Sequence, residues 1–149
     1  MPGFVSRIAY RDARAALAFL EKAFGFQTIS QATAADGSVV HAEMKFGDGR
    51  LTIGGEWENV KPPIAVGGAN TQNIHVHLDD SVDRHCEAAR AAGAVIVQEP
   101  QDQFHGERNY RAMDPQGHMW IFGQTIAKVT NEQIEAALPG IKVTGLSDG

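Results

Sequence analysis

Cysteine is nearly absent from this chain: Cys86 is the only one in 149 residues. A lone thiol cannot close an internal disulfide, and no charged-then-apolar leader opens the sequence, so a reducing cytoplasm is the expected compartment. Long apolar runs are missing too. None approaches the ~20 residues a membrane-spanning helix needs, which sets membrane function aside. Nor is there an excess of basic charge: 13 Lys and Arg against 18 Asp and Glu leave a net charge of -5, the wrong sign for a nucleic-acid surface. What is there is 43% hydrophobic content, enough for a well-buried domain in the usual range of ~100–150 residues.

The chain is written twice. DARAALAFLEKAFGF from Asp12 and DSVDRHCEAARAAGA from Asp80 align at an offset of 68, placing Lys22 with Arg90 and Gly25 with Gly93. Each copy carries the punctuation of a helix, with Asp to cap free N–H groups and Gly for the left-handed exit. Ala13, Ala16, Leu17, Leu20 and Phe24 form one apolar stripe; Val82, Cys86, Ala89 and Ala92 form a weaker one. Cys86 therefore reads as a buried, inert thiol. A strand-like run precedes each helix, FVSRIAY and NIHVHL, and three follow it. GSVVHAEMKFGDGRLTIGG from Gly37 matches GERNYRAMDPQGHMWIFGQ from Gly106 at an offset of 69, Met44 meeting Met113 and Ile53 meeting Phe122. Asp36-Gly37, Gly47-Asp48-Gly49 and Asp114-Pro115-Gln116-Gly117 supply the turns.

The plan is α+β, two βαβββ modules at about 4–60 and 72–126 joined by a Pro/Gly-rich linker at 61–71, together one domain over 1–129. Thr130-Asn131-Glu132-Gln133 is a capping box for a short helix, stopped at Pro139-Gly140, so 130–149 reads as a terminal helix with a loosely held tail.

Tandem βαβββ modules carrying AARAAGA in the second helix and DPQGHMW near the last strand resemble the vicinal oxygen chelate superfamily, which holds glyoxalase I, extradiol dioxygenases and bleomycin-resistance proteins. HAEMKFGDGRLTIGG and FHGERNYRAMDPQGH are similar to its bleomycin-resistance-like and PhnB-like branch. The resemblance implies half-barrels that make up a curved eight-stranded mixed sheet with helices outside, a cavity for a small-molecule ligand, and a homodimer. In metal-dependent members two symmetric pairs of ligands sit on the first and last strands of each module. Carried over, those places fall on Val5, Thr52, Asn73 and Ile121. Val and Ile offer no donor to a metal that wants imidazole, carboxylate or thiolate, so the expectation is no cofactor. The alternative is one divalent metal ion relocated to His75, His77, His41 or Glu56.

Strand parity assigns the faces. Ile8 and Tyr10, Val40, Ala42, Met44 and Phe46, Leu51 and Ile53, Ile74, Val76 and Leu78, Trp120 and Phe122 should lie under the helices. The opposite parity should line the concave face: Arg7, His41, Glu43, Glu56, Asn73, His75, His77, Arg108 and Tyr110. Trp57 and Phe104, at the mouth, are candidates to stack on a planar ligand, and His105 sits in a loop that could cover it. Such polar groups need water, each other or a ligand, since burial without partners costs ~1–3 kcal/mol each. Three readings stand: a metal-free small-molecule binder that sequesters its ligand; a lyase, isomerase or dioxygenase using a relocated metal or His/Glu acid-base chemistry; and an interaction module whose cavity is vestigial. His85 is expected at the surface or the rim of the core, and His118 to bond locally within its turn.

Overall fold

The computed structural model describes residues 2–145. Residues 146–149 of the expected tail lie outside them. The first module runs β1 (Ser6–Tyr10), α1 (Ala13–Phe19), β2 (Gln27–Thr33), β3 (Val39–Phe46) and β4 (Gly49–Gly55). The second runs β5 (Ile74–His77), α2 (Val82–Ala91), β6 (Val95–Asp102), β7 (Glu107–Met113) and β8 (Met119–Thr125), followed by α3 (Asn131–Ala137). The strands form two four-stranded mixed sheets of equivalent order, β1-β4-β3-β2 and β5-β8-β7-β6, in which β1 and β5 are edge strands, each parallel to its one partner. Among the described residues no helix is long and apolar enough to cross a membrane.

The caps show how closely the copies match. Asp12 caps α1 by accepting from the Ala15 amide. In α2 the cap is Ser81, which accepts from the Arg84 amide, while Asp80 accepts from Ser81 and stands one residue outside. From cap to left-handed glycine the first copy, Asp12 to Gly25, is therefore one residue longer than the second, Ser81 to Gly93. A π-helical turn, Leu20–Phe24, takes up the difference. A wider turn absorbs an extra residue while the apolar stripe keeps its direction on either side. α3 has the full reciprocal capping box of Thr130 and Gln133.

Both modules share one core. Phe24, at the end of the π turn, packs against Phe122 and Trp120 of the other module at ring-centroid distances of 4.6 and 5.6 Å, and Phe26 reaches Trp120 at 5.4 Å. Aromatic pairs of this kind add ~0.5–1.5 kcal/mol beyond the area they bury. Polar groups reinforce the junction. The Asp114 carboxylate accepts from the Gln116 and His118 amides inside its own turn, then from Tyr10 Oη at 2.6 Å and Trp120 Nε1 at 3.1 Å. Gln116 accepts from the Arg11 and Asp12 amides and donates to the Asp12 carbonyl. His118 Nε2 donates to the Ala9 carbonyl at 2.7 Å, so this ring bonds across the modules and not locally. The DPQGH turn is a clamp that closes on β1 and the start of α1.

His85 forms a second clamp. Nε2 donates to the Phe24 carbonyl at 2.9 Å and Nδ1 accepts from the Tyr110 hydroxyl at 2.6 Å, which places this half-buried ring at the module junction. Burial lowers its pKa, against a smaller opposing effect of the Phe24 carbonyl. A folded-state pKa below the unfolded value of ~6.5 means that stability is complete above that pH and falls as pH drops toward the folded pKa, because the unfolded chain takes up the proton first. Urea midpoints are expected to fall between pH 7.5 and 5.5 by more in the native protein than in His85→Gln. Equal slopes would remove His85 as the cause.

Candidate functional site: a carboxylate behind a cleft histidine

Side chains on β7 alternate so that Arg108, Tyr110 and Ala112 turn toward α2, while Glu107, Asn109 and Arg111 occupy the concave face. The expectation for Arg108 and Tyr110 is corrected accordingly. Tyr110 is fully buried beside Phe122 and His85, and desolvation pushes its hydroxyl pKa upward. Arg108 bridges Asp83 on α2 at 3.1 Å and Asp102 on β6 at 2.9 Å. The hairpins supply the reason. Opposed residue numbers total 95 in the first (Met44 with Leu51) and 232 in the second (Tyr110 with Phe122). Their difference, 137, is odd, so a single offset of 69 cannot map both strands. β3 maps onto β7 by 68 and β4 onto β8 by 69, the extra residue lying in the DPQGH turn.

A smaller correction falls on β3. One step on β2, Ala32 to Thr33, spans two on β3, His41 to Val39, so Val40 is the residue of a bulge. Val40 is exposed and Val39 buried, the reverse of simple alternation.

Glu107 is the center of the site. It is only 9% exposed, and its carboxylate lies over Gly123, where an added Cβ would stand 2.4 Å from Cδ. Asn109 Nδ2 donates to Oε1 at 2.8 Å, and Gln98 and Gln103 donate to Asn109 Oδ1. His75 Nε2 sits 3.0 Å from Oε2, and His105 Nε2 3.8 Å from Oε1. Phe104, partly exposed, packs on His105. The result is an oriented carboxylate backed by amides and faced by two imidazoles. Glu107 and Asn109 were missed by the sequence reading because of the slipped offset; hairpin parity was the signal.

His75 and His77 line a cleft of about 830 Å³ between β5 and the β3–β4 turn, with Phe26, Phe46, Leu51 and His85 among its walls. Arg7 and Asn73 line a smaller, adjoining pocket of about 340 Å³, which shares Ser6 and Ile74 with the cleft. His41 and Glu43 stand exposed on the first module's sheet and line neither cleft. Glu56 is paired with Arg11 at 3.0 Å, and Trp57 is exposed in a short turn closed by hydrogen bonds with Val60. The candidate residues are thus divided among two pockets, two sheet faces and the core.

The places that hold metal in related chemistry do not fit an ion here. Val5 is exposed ahead of β1 and Asn73 ahead of β5, while Thr52 and Ile121 sit within β4 and β8. Two of the four side chains have no donor atom. Among the described residues no three His, Cys, Asp or Glu side chains group so as to hold a metal. Cys86 is buried in the core, its thiol pushed up to about 11, chiefly by desolvation, and plays no part in the site.

Fold and sequence together define the class. Residues 4–122 match the Glyoxalase/Bleomycin resistance protein/Dioxygenase superfamily, and the chain belongs to it. Among solved structures it is similar to TioX from Micromonospora sp. ML1, with 32% identity over 87% of this chain and 100% of that one at a TM-score of 0.67. TnmS3, an antibiotic binding protein from Streptomyces sp. CB03234, shares the fold at 19% identity over 84% and 97% of the two chains, TM-score 0.65. An uncharacterized protein of Mycobacterium bovis is 28% identical over 92% of each chain.

Proposed function

We propose that this is a cytoplasmic, metal-free small-molecule-binding protein of the bleomycin-resistance type, which sequesters its ligand in the cleft between β5 and the β3–β4 turn. The supporting observation is the His75–Glu107 pair. A histidine on the cleft wall, held by a nearly buried carboxylate that is itself fixed by Asn109, is a pre-organised polar anchor. Phe26 and Phe46 offer apolar surface opposite, the combination by which a ligand pocket fixes orientation and gains affinity. TnmS3, which shares the fold and is an antibiotic binding protein, supports a ligand-binding role.

The test is a thermal-shift screen of planar aromatic antibiotics, run beside elemental analysis. Saturable stabilisation is expected, at least ~10-fold weaker in Gly123→Ala, whose methyl group displaces the Glu107 carboxylate. Stoichiometric metal removable by chelator would sink the metal-free reading; hits unaffected by Gly123→Ala would sink the anchor. The same His75–Glu107 pair also supports a second reading, an isomerase or lyase moving a proton between ligand carbon and imidazole. Turnover of a bound hit, abolished by Glu107→Gln with binding retained, would select it.

A second copy of the chain belongs in this reading. Ile29 on β2, Val40 on β3, and Val95 and Val97 on β6 are exposed apolar side chains on the sheets, three of them on outer edge strands, and pairing would cover them. Sedimentation should give a dimer; a monomer throughout the micromolar range would remove this part of the proposal.

A further inference from the structure

The smaller pocket has a chemistry opposite to that of the molecule as a whole. It lies between edge strand β1, the linker and the start of β5, and among the described residues no Asp or Glu lines it. In a chain of net charge -5 its walls carry two cations, Arg7 and Lys61, and neither has a carboxylate partner among the described ion pairs. Arg7 Nη2 makes one long hydrogen bond, to the Gly55 carbonyl at 3.5 Å, so an incoming anion has no acid to displace from either cation.

The pocket is also built in advance. Asn70 donates to the Gly117 carbonyl and accepts from the Met119 amide, pinning the linker to the β7–β8 turn. Pro63 packs so closely there that an added Cβ at Gly117 would lie 3.0 Å from it. Arg7 is held in turn by Gly54: the guanidinium fills the space over that glycine, where an added Cβ would stand 2.3 Å from Nη2. Gln72 and Asn73 add amide groups, and Val66, Ile74 and Met119 add apolar surface. Cations, amides and an apolar wall together select an anion with an organic body.

We infer that this pocket is a second ligand site, adjoining the His75 cleft at Ser6 and Ile74, that binds a small organic carboxylate through Arg7 and Lys61 with its apolar part against Val66 and Met119. Guanidinium and ammonium groups recognise carboxylate through charge-assisted hydrogen bonds. A volume of about 340 Å³ lies at the small end of ordinary ligand sites. A monocarboxylate suits the site better than phosphate, because a dianion would meet more of the protein's negative field and use none of the apolar wall.

The test is an NMR titration of the intact protein at low salt with 4-phenylbutyrate and benzoate, each beside its neutral amide, and with inorganic phosphate. Saturable shifts are expected at Lys61, Asn73 and the Met119 methyl group for the carboxylates, weakened at least ~10-fold by Arg7→Gln or Lys61→Gln, as for loss of a charged hydrogen bond. Lys22→Gln, which removes an equal charge outside the pocket, should leave affinity unchanged. Acid and amide binding alike, no saturable shift with either carboxylate, or an equal loss in Lys22→Gln would overturn the inference. Tighter binding of phosphate would overturn the carboxylate assignment. The titration does not depend on the His75 cleft, so it can fail or succeed independently of the proposed function.

Discussion

Asp114→Ala is expected to lower unfolding stability by about 3–5 kcal/mol, the largest single-residue loss in the protein. The carboxylate is 4% exposed and accepts four hydrogen bonds. Its removal strands the Tyr10 hydroxyl and the Trp120 indole N–H, both in fully buried side chains, and each unsatisfied group costs ~1–3 kcal/mol. Tyr10 cannot compensate by ionising, since burial, the largest cause of its raised pKa, persists in the variant. The turn loses its two internal amide bonds as well, and with them the placement of Gln116 and His118 on β1. Against a total of ~5–15 kcal/mol, such a loss leaves the fold marginal. Urea denaturation with an unchanged m-value is the measurement. Asp114→Asn should recover part of the loss, because it keeps one acceptor oxygen; a drop below ~1 kcal/mol in the alanine variant would show that the clamp is not what joins the modules.

Gly106→Ala should cost about 2–4 kcal/mol and disturb the site at the same time. Gly106 has φ +89, a left-handed conformation in which an L side chain is strained by ~1–3 kcal/mol. The added Cβ would also lie 2.3 Å from the Ala127 carbonyl oxygen, a backbone atom that no rotamer change can move. Relief requires the 126–129 segment to leave, breaking the Ile126 and Ala127 amide bonds to the Gly106 carbonyl. The Gln103–Gly106 turn carries His105 and leads directly into Glu107, so its displacement loosens the carboxylate. Hydrogen exchange at Ile126 and Ala127 should rise together with the loss of midpoint stability. Protected amides in a destabilised variant would place the strain elsewhere.

Much of the fold follows from local chemistry that the chain displays openly. Asp12, Gly25 and Gly93 mark helix ends because a carboxylate cap and a left-handed exit are local needs, and Thr130 to Gln133 form a capping box for the same reason. The repeat identifies two modules, and parity places Ile8, Tyr10, Ala42, Met44, Ile53, Trp120 and Phe122 under the helices, because side chains alternate wherever a strand is regular. The same rule assigns Arg7, His41, Glu43, His75 and His77 to the concave face, opposite the helices.

Tertiary structure decided the rest. Whether Tyr110 or Asn109 faces outward depends on a hairpin's pairing, which one extra turn residue reverses, and the Val40 bulge shows the same sensitivity within β3. Glu107 becomes an anchor only because Gly123 on the neighboring strand leaves room for its carboxylate, and Arg7 is held over Gly54 by the equivalent vacancy. His85 and His118 serve as bridges because the modules pack helix to helix and turn to strand, a relation that no local pattern encodes. The division of the candidate residues between two pockets has the same origin: β1 and β5 both contribute to each cleft, and only packing sets which polar side chains each cleft receives.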